Sequence, residues 1–363
     1  MLNCRALLSR HIGGIGLALA IAAIPLTANA QQVIKLTAID AYPPKALWVE
    51  VFIKYFIPEV DKRLAKDGKY KIEWQQSWSG QIAKPRGVLD AIKGKLGDIG
   101  IVTTVFHSSK LPLNNLPYYT PFSSRNPIVV SRVMDELMEK FPAFQKQFDD
   151  QNQIVLTNFS SIDNYGIFTK APVTKMEDLK GMKLNAAGAN ALYVKPLGAV
   201  GVLGSLVTYY NQVKTGATDG VIIWPEAAIT FKFAELTQHY FETDFGTGVN
   251  KSVTINKDVW NSLPPDVKKV LKEVAVAYRD EVGKQALAEA DDAVKQFKKL
   301  GGKVTSLSEA DKKKWANMMP NIAMDLADDV EKKNGYPAKQ ILSAYMDALR
   351  KAGEKPVRDW DKK

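Results

Sequence analysis

From Val33 to about Ile255, short apolar runs rich in β-branched residues alternate with longer amphipathic stretches of helical period. That alternation restricts the chain to an α/β architecture with largely parallel sheets, because parallel neighbours need a crossover of about a dozen residues or more between them. The predicted strands are Val33 to Ile39, Lys71 to Trp78, Ile99 to Val105, Ile154 to Phe159, Gly166 to Thr169, Met182 to Ala186, Gly220 to Trp224 and Ser252 to Ile255. Helical segments such as Ala46 to Ala65 and Ile128 to Met138 lie between them.

Two segments repeat one local pattern. In 88–99 and again in 210–223 a helical stretch with a lysine in its last turn (Lys93, Lys214) meets a glycine (Gly94, Gly216), then an aspartate (Asp98, Asp219), then an apolar strand. Glycine suits the left-handed position after a helix, and the lysine complements the helix dipole. Two copies about 120 residues apart suggest two lobes of similar topology, although any helix-to-strand loop of this length could look the same. After Ser262 the chain becomes almost wholly helical. Ser262 reads as an N-cap with Pro264 and Pro265 in the first turn, and Val267, Val270, Leu271, Val274, Val282, Leu287, Val294 and Phe297 recur at helical spacing until Gly301-Gly302. One helix of about 35 residues would be roughly 50 Å long, enough to brace two lobes. Ser308 to Lys333 and Pro337 to Ala352 read as closing helices.

The N-terminus sets the compartment. Arg5 and Arg10, an apolar run from Ile12 to Leu26 and the small-residue site Ala28-Asn29-Ala30 predict a secretory signal over 1–30, cleaved after Ala30 to leave Gln31 first. The competing reading is an uncleaved anchor, which needs about 20 apolar residues to span a bilayer. Removing 30 of the 363 residues leaves 333, enough for two domains. The only cysteine, Cys4, lies in the signal, so disulfides, thiolate catalysis and cysteine-metal sites are excluded together. Loss of Arg5 and Arg10 lowers the formal charge from +10 to +8. The lysines are dispersed among acids, as in Asp311-Lys312-Lys313-Lys314, and read as solvated helix faces, so no nucleic-acid partner is expected.

Chemical signatures are sparse. His107 and His239 lack the spacing of a metal pair, and there is no Walker loop or nucleophile elbow. Gly246-Thr247-Gly248 lacks the third glycine of a dinucleotide fingerprint and reads as a turn. No cofactor and no metal are expected. A carboxylate pair that meets only in the fold would leave an enzyme possible.

Four segments, taken in order and spacing, carry a family likeness: Ser79-Gly80-Gln81-Ile82 followed by Arg86; Gly94 through Asp98; Asp178-Leu179-Lys180-Gly181-Met182-Lys183-Leu184; and Tyr210 through Gly220. Together they resemble the solute-binding proteins of tripartite ATP-independent periplasmic (TRAP) transporters. The resemblance implies a two-lobed periplasmic binding protein fold with crossing hinge strands and a long C-terminal brace helix. Lobe I would be 31–160 plus about 247–285, and lobe II 161–246 plus about 286–363 with the C-terminal helices. It also implies a periplasmic protein that is no enzyme and passes a small-molecule solute to membrane permease subunits.

The chain departs from the family at one position. After Asp-Leu-Lys-Gly the family reads apolar-Lys-apolar-Arg, with the arginine gripping a carboxylate, and here that position is Asn185. No arginine occurs between Arg132 and Arg279, and Lys183 is a lysine in the family as well. The family's ligand-facing segments map onto Trp78 and Gln81, Asn164 and Tyr165, Asn185 and Asn190, Tyr209 and Tyr210, and Trp224 and Glu226. Rings and amides dominate this set, so the expected solute is a small organic acid, aromatic or otherwise apolar, held by stacking and by amide and phenol hydrogen bonds. The alternatives are a neutral or cationic solute, with Glu226 or Asp163 as counter-charge and Trp224 or a tyrosine as a cation-π face, or a periplasmic lyase or hydrolase. Packing accounts for some of the same residues: Trp78 and Trp224 end strands, at most one of Tyr209 and Tyr210 can face a cleft, and Glu226 suits a helix N-terminus.

Overall fold

In the computed structural model, which describes residues 31–362, eleven strands form: β1 (Gln32–Ile39), β2 (Tyr70–Ser77), β3 (Ile99–Thr103), β4 (Gln153–Phe159), β5 (Gly166–Thr169), β6 (Lys183–Ala186), β7 (Val200–Leu203), β8 (Gly220–Ile223), β9 (His239–Glu242), β10 (Lys251–Asn256) and β11 (Lys303–Ser306). They pair into a five-stranded sheet of order β2-β1-β3-β10-β4 and a six-stranded sheet of order β11-β9-β5-β8-β6-β7. The signal expected over 1–30 lies outside the described residues.

The sheets are mixed rather than largely parallel. β1 runs parallel to β2 and β3, and β6 parallel to β7 and β8, as crossover helices on their faces require. But β10 is antiparallel to β3 and β4, and β5 is antiparallel to β8 and β9. Both reversed strands follow one of the two crossing segments, between β4 and β5 and between β9 and β10; β11 also arrives from the other sheet, after the long helix, and pairs parallel with β9. A strand arriving from the other lobe has no crossover on its own face to fix its direction.

The repeated pattern has one physical job in both lobes. Asp98 accepts the Thr37 N–H on its carboxylate at 2.7 Å, and Asp219 accepts the Lys183 N–H at 2.7 Å. Each aspartate thus pins the start of a strand (β3, β8) to its parallel neighbour (β1, β6). The glycines differ: Gly216 is left-handed (φ 78°), whereas in the first copy Lys95 (φ 59°) and not Gly94 (φ −86°) takes that conformation.

Hydrogen bonds tie the two crossing segments, 160–165 and 243–250, to each other. Tyr165 N–H donates to Gly246 O at 3.0 Å, and the Ser160 and Thr247 hydroxyls pair at 2.7 Å. Asn164 bridges them with its whole amide, donating to Asp244 Oδ1 at 2.7 Å and accepting the Gly246 N–H at 3.1 Å. Gly246 sits at φ 86°, and a Cβ there would meet Ser124 O at 2.4 Å, so the second crossing needs glycine.

The brace is one helix, Pro265–Lys299, of 35 residues. It begins after Pro264; Ser262 instead ends the preceding helix, Lys257–Ser262, with its hydroxyl donating to Val259 O at 2.7 Å. Near its middle, Tyr278 donates to Trp48 O at 2.8 Å and Arg279 pairs with Asp135 at 2.7 Å in the first lobe. At its far end Phe297 lies edge-on to Phe168 and Tyr240 in the second. The closing helices are three, Glu309–Met318, Ile322–Asn334 and Ala338–Lys351, because Pro320 cannot continue the first of them. Expected with lobe II, the last two pack back on Leu113–Tyr119 and Pro127–Lys140 of the first lobe.

Candidate ligand-binding site

The carboxyl ends of parallel strands in both sheets converge on one enclosed space. Thr103 ends β3, Ala187 follows β6 and Trp224 follows β8, and all three line a cavity of about 30 Å³ between the lobes. Such strand ends are where open α/β sheets place their ligands. Six aromatic residues wall it, Tyr42, Trp48 and Phe106 from the first lobe and Tyr165, Tyr209 and Trp224 from the crossing and the second. Trp48 meets Tyr42 edge-on at 5.0 Å and Trp224 at 6.5 Å, and Trp224 meets Tyr165 edge-on at 5.7 Å. A volume of 30 Å³ holds a water molecule or two, so the walls are closed on each other.

Each indole also fixes a buried carboxylate. Asp40, just past β1, accepts the Tyr42 N–H at 2.6 Å and Trp48 Nε1–H at 3.3 Å. Glu226, in the short helix Pro225–Thr230, accepts Trp224 Nε1–H at 2.9 Å. Both charges act on Lys251, the first residue of β10 and 1% exposed. Its ammonium lies over the Trp48 ring, 3.8 Å from the centroid, and donates to Ser161 Oγ at 3.1 Å.

Burial dominates the ionisation of all these groups. It pushes the Lys251 ammonium down to about 7 against the opposing charges of Asp40 and Glu226. It lifts Asp40 to about 7 against the Tyr42 N–H, the Lys251 charge and the Trp48 indole. Glu226 is raised for the same reason, and Asp163 is lifted to about 7. The phenols of Tyr42, Tyr165 and Tyr209 are pushed up by burial and stay neutral.

The ten residues singled out in the sequence fall into three groups. Tyr165, Tyr209 and Trp224 line the cavity, and Glu226 anchors the Trp224 indole. Asn185 and Asn190 are buried one layer back. Asn185 donates to Thr218 Oγ1 at 2.9 Å and toward Tyr209 O at 3.4 Å, and Asn190 is buried near the Tyr165 phenol with neither amide atom hydrogen-bonded among the described residues. The others lie off the cavity wall. Asn164 ties the crossings together; Trp78 packs edge-on against Phe52 at 5.8 Å; Gln81 is exposed and accepts the Ser77 hydroxyl; and half-buried Tyr210 packs toward Phe233.

Asp40, Tyr42, Trp48 and Lys251 were not among the sequence candidates.

Known proteins share this fold. The model of the bacterial extracellular solute-binding proteins, family 7, matches residues 42–329. The C4-dicarboxylate-binding periplasmic protein DctP of Rhodobacter capsulatus is 24% identical over 162 residues, 44% of this chain and 48% of that protein. The chain thus matches about half the length of this curated relative. Among solved structures, a TRAP solute-binding protein from Rhodoferax ferrireducens in complex with copurified benzoate superposes with a TM-score of 0.77 at 19% identity, covering 88% of this chain and 98% of that one. One from Bordetella bronchiseptica with bound (R)- and (S)-mandelate gives 0.75 at 19%, covering 88% and 99%. At these identities the likeness is one of fold.

Proposed function

The chain belongs to the family 7 extracellular solute-binding proteins, the periplasmic binding proteins of TRAP transporters, and from that premise we propose that it captures a small aromatic or otherwise apolar carboxylate and hands it to a membrane permease. The observation that carries this reading is the aromatic wall. Six aromatic residues contributed from both sides of one cavity offer a flat solute contact on each face, and those contacts coexist only when the lobes are together. Burying one phenyl-sized ring of roughly 150 Å² contributes about 4 kcal/mol before the costs of association. Closure is then a ligand-driven population shift: the crossings at 160–165 and 243–250 let the lobes part, and the solute favours the closed state by touching both.

A cationic solute fits less well. The face of Trp48 and the negative field of Asp40 and Glu226 already hold the Lys251 ammonium, which would repel a second cation.

The test is thermal unfolding of the chain from Gln31 with benzoate, mandelate and phenylacetate against succinate, glucuronate, benzylamine and polyols. A solute at about 100 times Kd adds roughly 2.7 kcal/mol, which is about 4 °C for a chain of this size. Shifts confined to aromatic acids are expected; shifts with amines or polyols alone would remove the acid from the reading.

A further inference from the structure

We propose that Lys251 is the residue that receives the solute's carboxylate, an inference that rests on the acid-binding reading above. Three observations converge on it. The side chain is buried and Lys251 lines the cavity, with its Nζ over the ring of Trp48, another lining residue. An ammonium has three N–H donors, and among the described residues this one donates only to Ser161 Oγ. The two nearby carboxylates do not use the remainder: Asp40 and Glu226 are turned to the Trp48 and Trp224 indoles, and neither makes an ion pair with Lys251 within 4.0 Å. A buried ammonium with unfilled donors, over an aromatic ring, matches a carboxylate whose apolar body lies among the other rings.

Asn185 is placed for a different part. It is fully buried behind Tyr209, with its amide nitrogen donating to Thr218. It positions the ring wall rather than meeting the solute. Lys251 is also where binding can act on the hinge. Ser161 belongs to the first crossing and Lys251 begins the strand after the second, so an anion held at Nζ sits against both.

Isothermal titration of the wild type, Lys251→Met, Lys251→Arg and Asn185→Ala with an aromatic acid and with its uncharged primary amide tests this. The wild type should prefer the acid. Lys251→Met should lose at least about 30-fold for the acid, the scale of truncating a buried charged partner, and about tenfold less than that for the amide, which loses one uncharged hydrogen-bond partner at most. Amide binding shows that the variant has folded with an intact ring wall. Lys251→Arg should keep part of the preference for the acid, and Asn185→Ala should weaken acid and amide together. Acid binding by Lys251→Met within about threefold of wild type would overturn the proposal and leave the acid-binding reading standing. A wild type that binds no acid removes both.

Discussion

Raising the pH from 6 to 8.5 should cost the protein about 30-fold in affinity for an aromatic carboxylate, or about 2 kcal/mol, through Lys251. Burial places the free ammonium at about 7, so it is charged at pH 6 and largely neutral at pH 8.5. A carboxylate at Nζ returns the group toward its ordinary value near 10.4, so binding above pH 7 takes up a proton and weakens as pH rises. Asp40, lifted to about 7 by burial, ionises through the same window and adds a negative charge against the solute. Asp163, on the first crossing, ionises in that range as well. The charges of Asp40 and Glu226 also favour the Lys251 ammonium, so the acids act on the solute and on the lysine in opposite directions. His107, the histidine nearest the site's rim, is silent, since burial lowers it to about 4. Titrations at half-unit intervals, in paired buffers of different ionisation enthalpy, would give the slope and the proton uptake. In Lys251→Met the profile should flatten to the part due to the acids. A wild-type affinity that is constant or rises from pH 6 to 8.5 would refute the reasoning.

Two further perturbations follow from the frame. Arg279→Met strips Asp135 of its buried partner while Thr157 and the Asn158 N–H still bind it, which should cost about 3 to 5 kcal/mol and lower the midpoint of thermal unfolding by about 4 to 7 °C at pH 7. Asn164→Ala should cost about 1 to 3 kcal/mol by freeing the Gly246 N–H and removing one partner of Asp244, which keeps Arg125 and Lys312, and it should weaken solute affinity without touching the cavity wall, a combination that unfolding and titration together would detect.

The frame was readable where periodicity is strong. Every predicted strand forms, and the 35-residue brace follows its apolar spacing. β7, β9 and β11 escaped because each is four residues long and lies toward a margin of the second sheet, where little apolar contrast is demanded. Strand direction was not readable either, since β5 and β10 look alike in either sense until the crossings are known. In the site, motif position led to Tyr165, Tyr209 and Trp224 and also to Asn185, which stands behind the wall. Lys251 meets Asp40, Trp48 and Glu226 only in the fold, and a buried lysine is spelled as a surface one is.

The most direct measurement is a crystal structure of the protein with a bound aromatic acid. The account predicts the ring among Trp48, Tyr165, Tyr209 and Trp224 and a carboxylate oxygen about 2.7 to 2.9 Å from Lys251 Nζ. A carboxylate held instead at exposed Arg86, which lies over Phe106 at the cavity edge, or at Asn185, would contradict it.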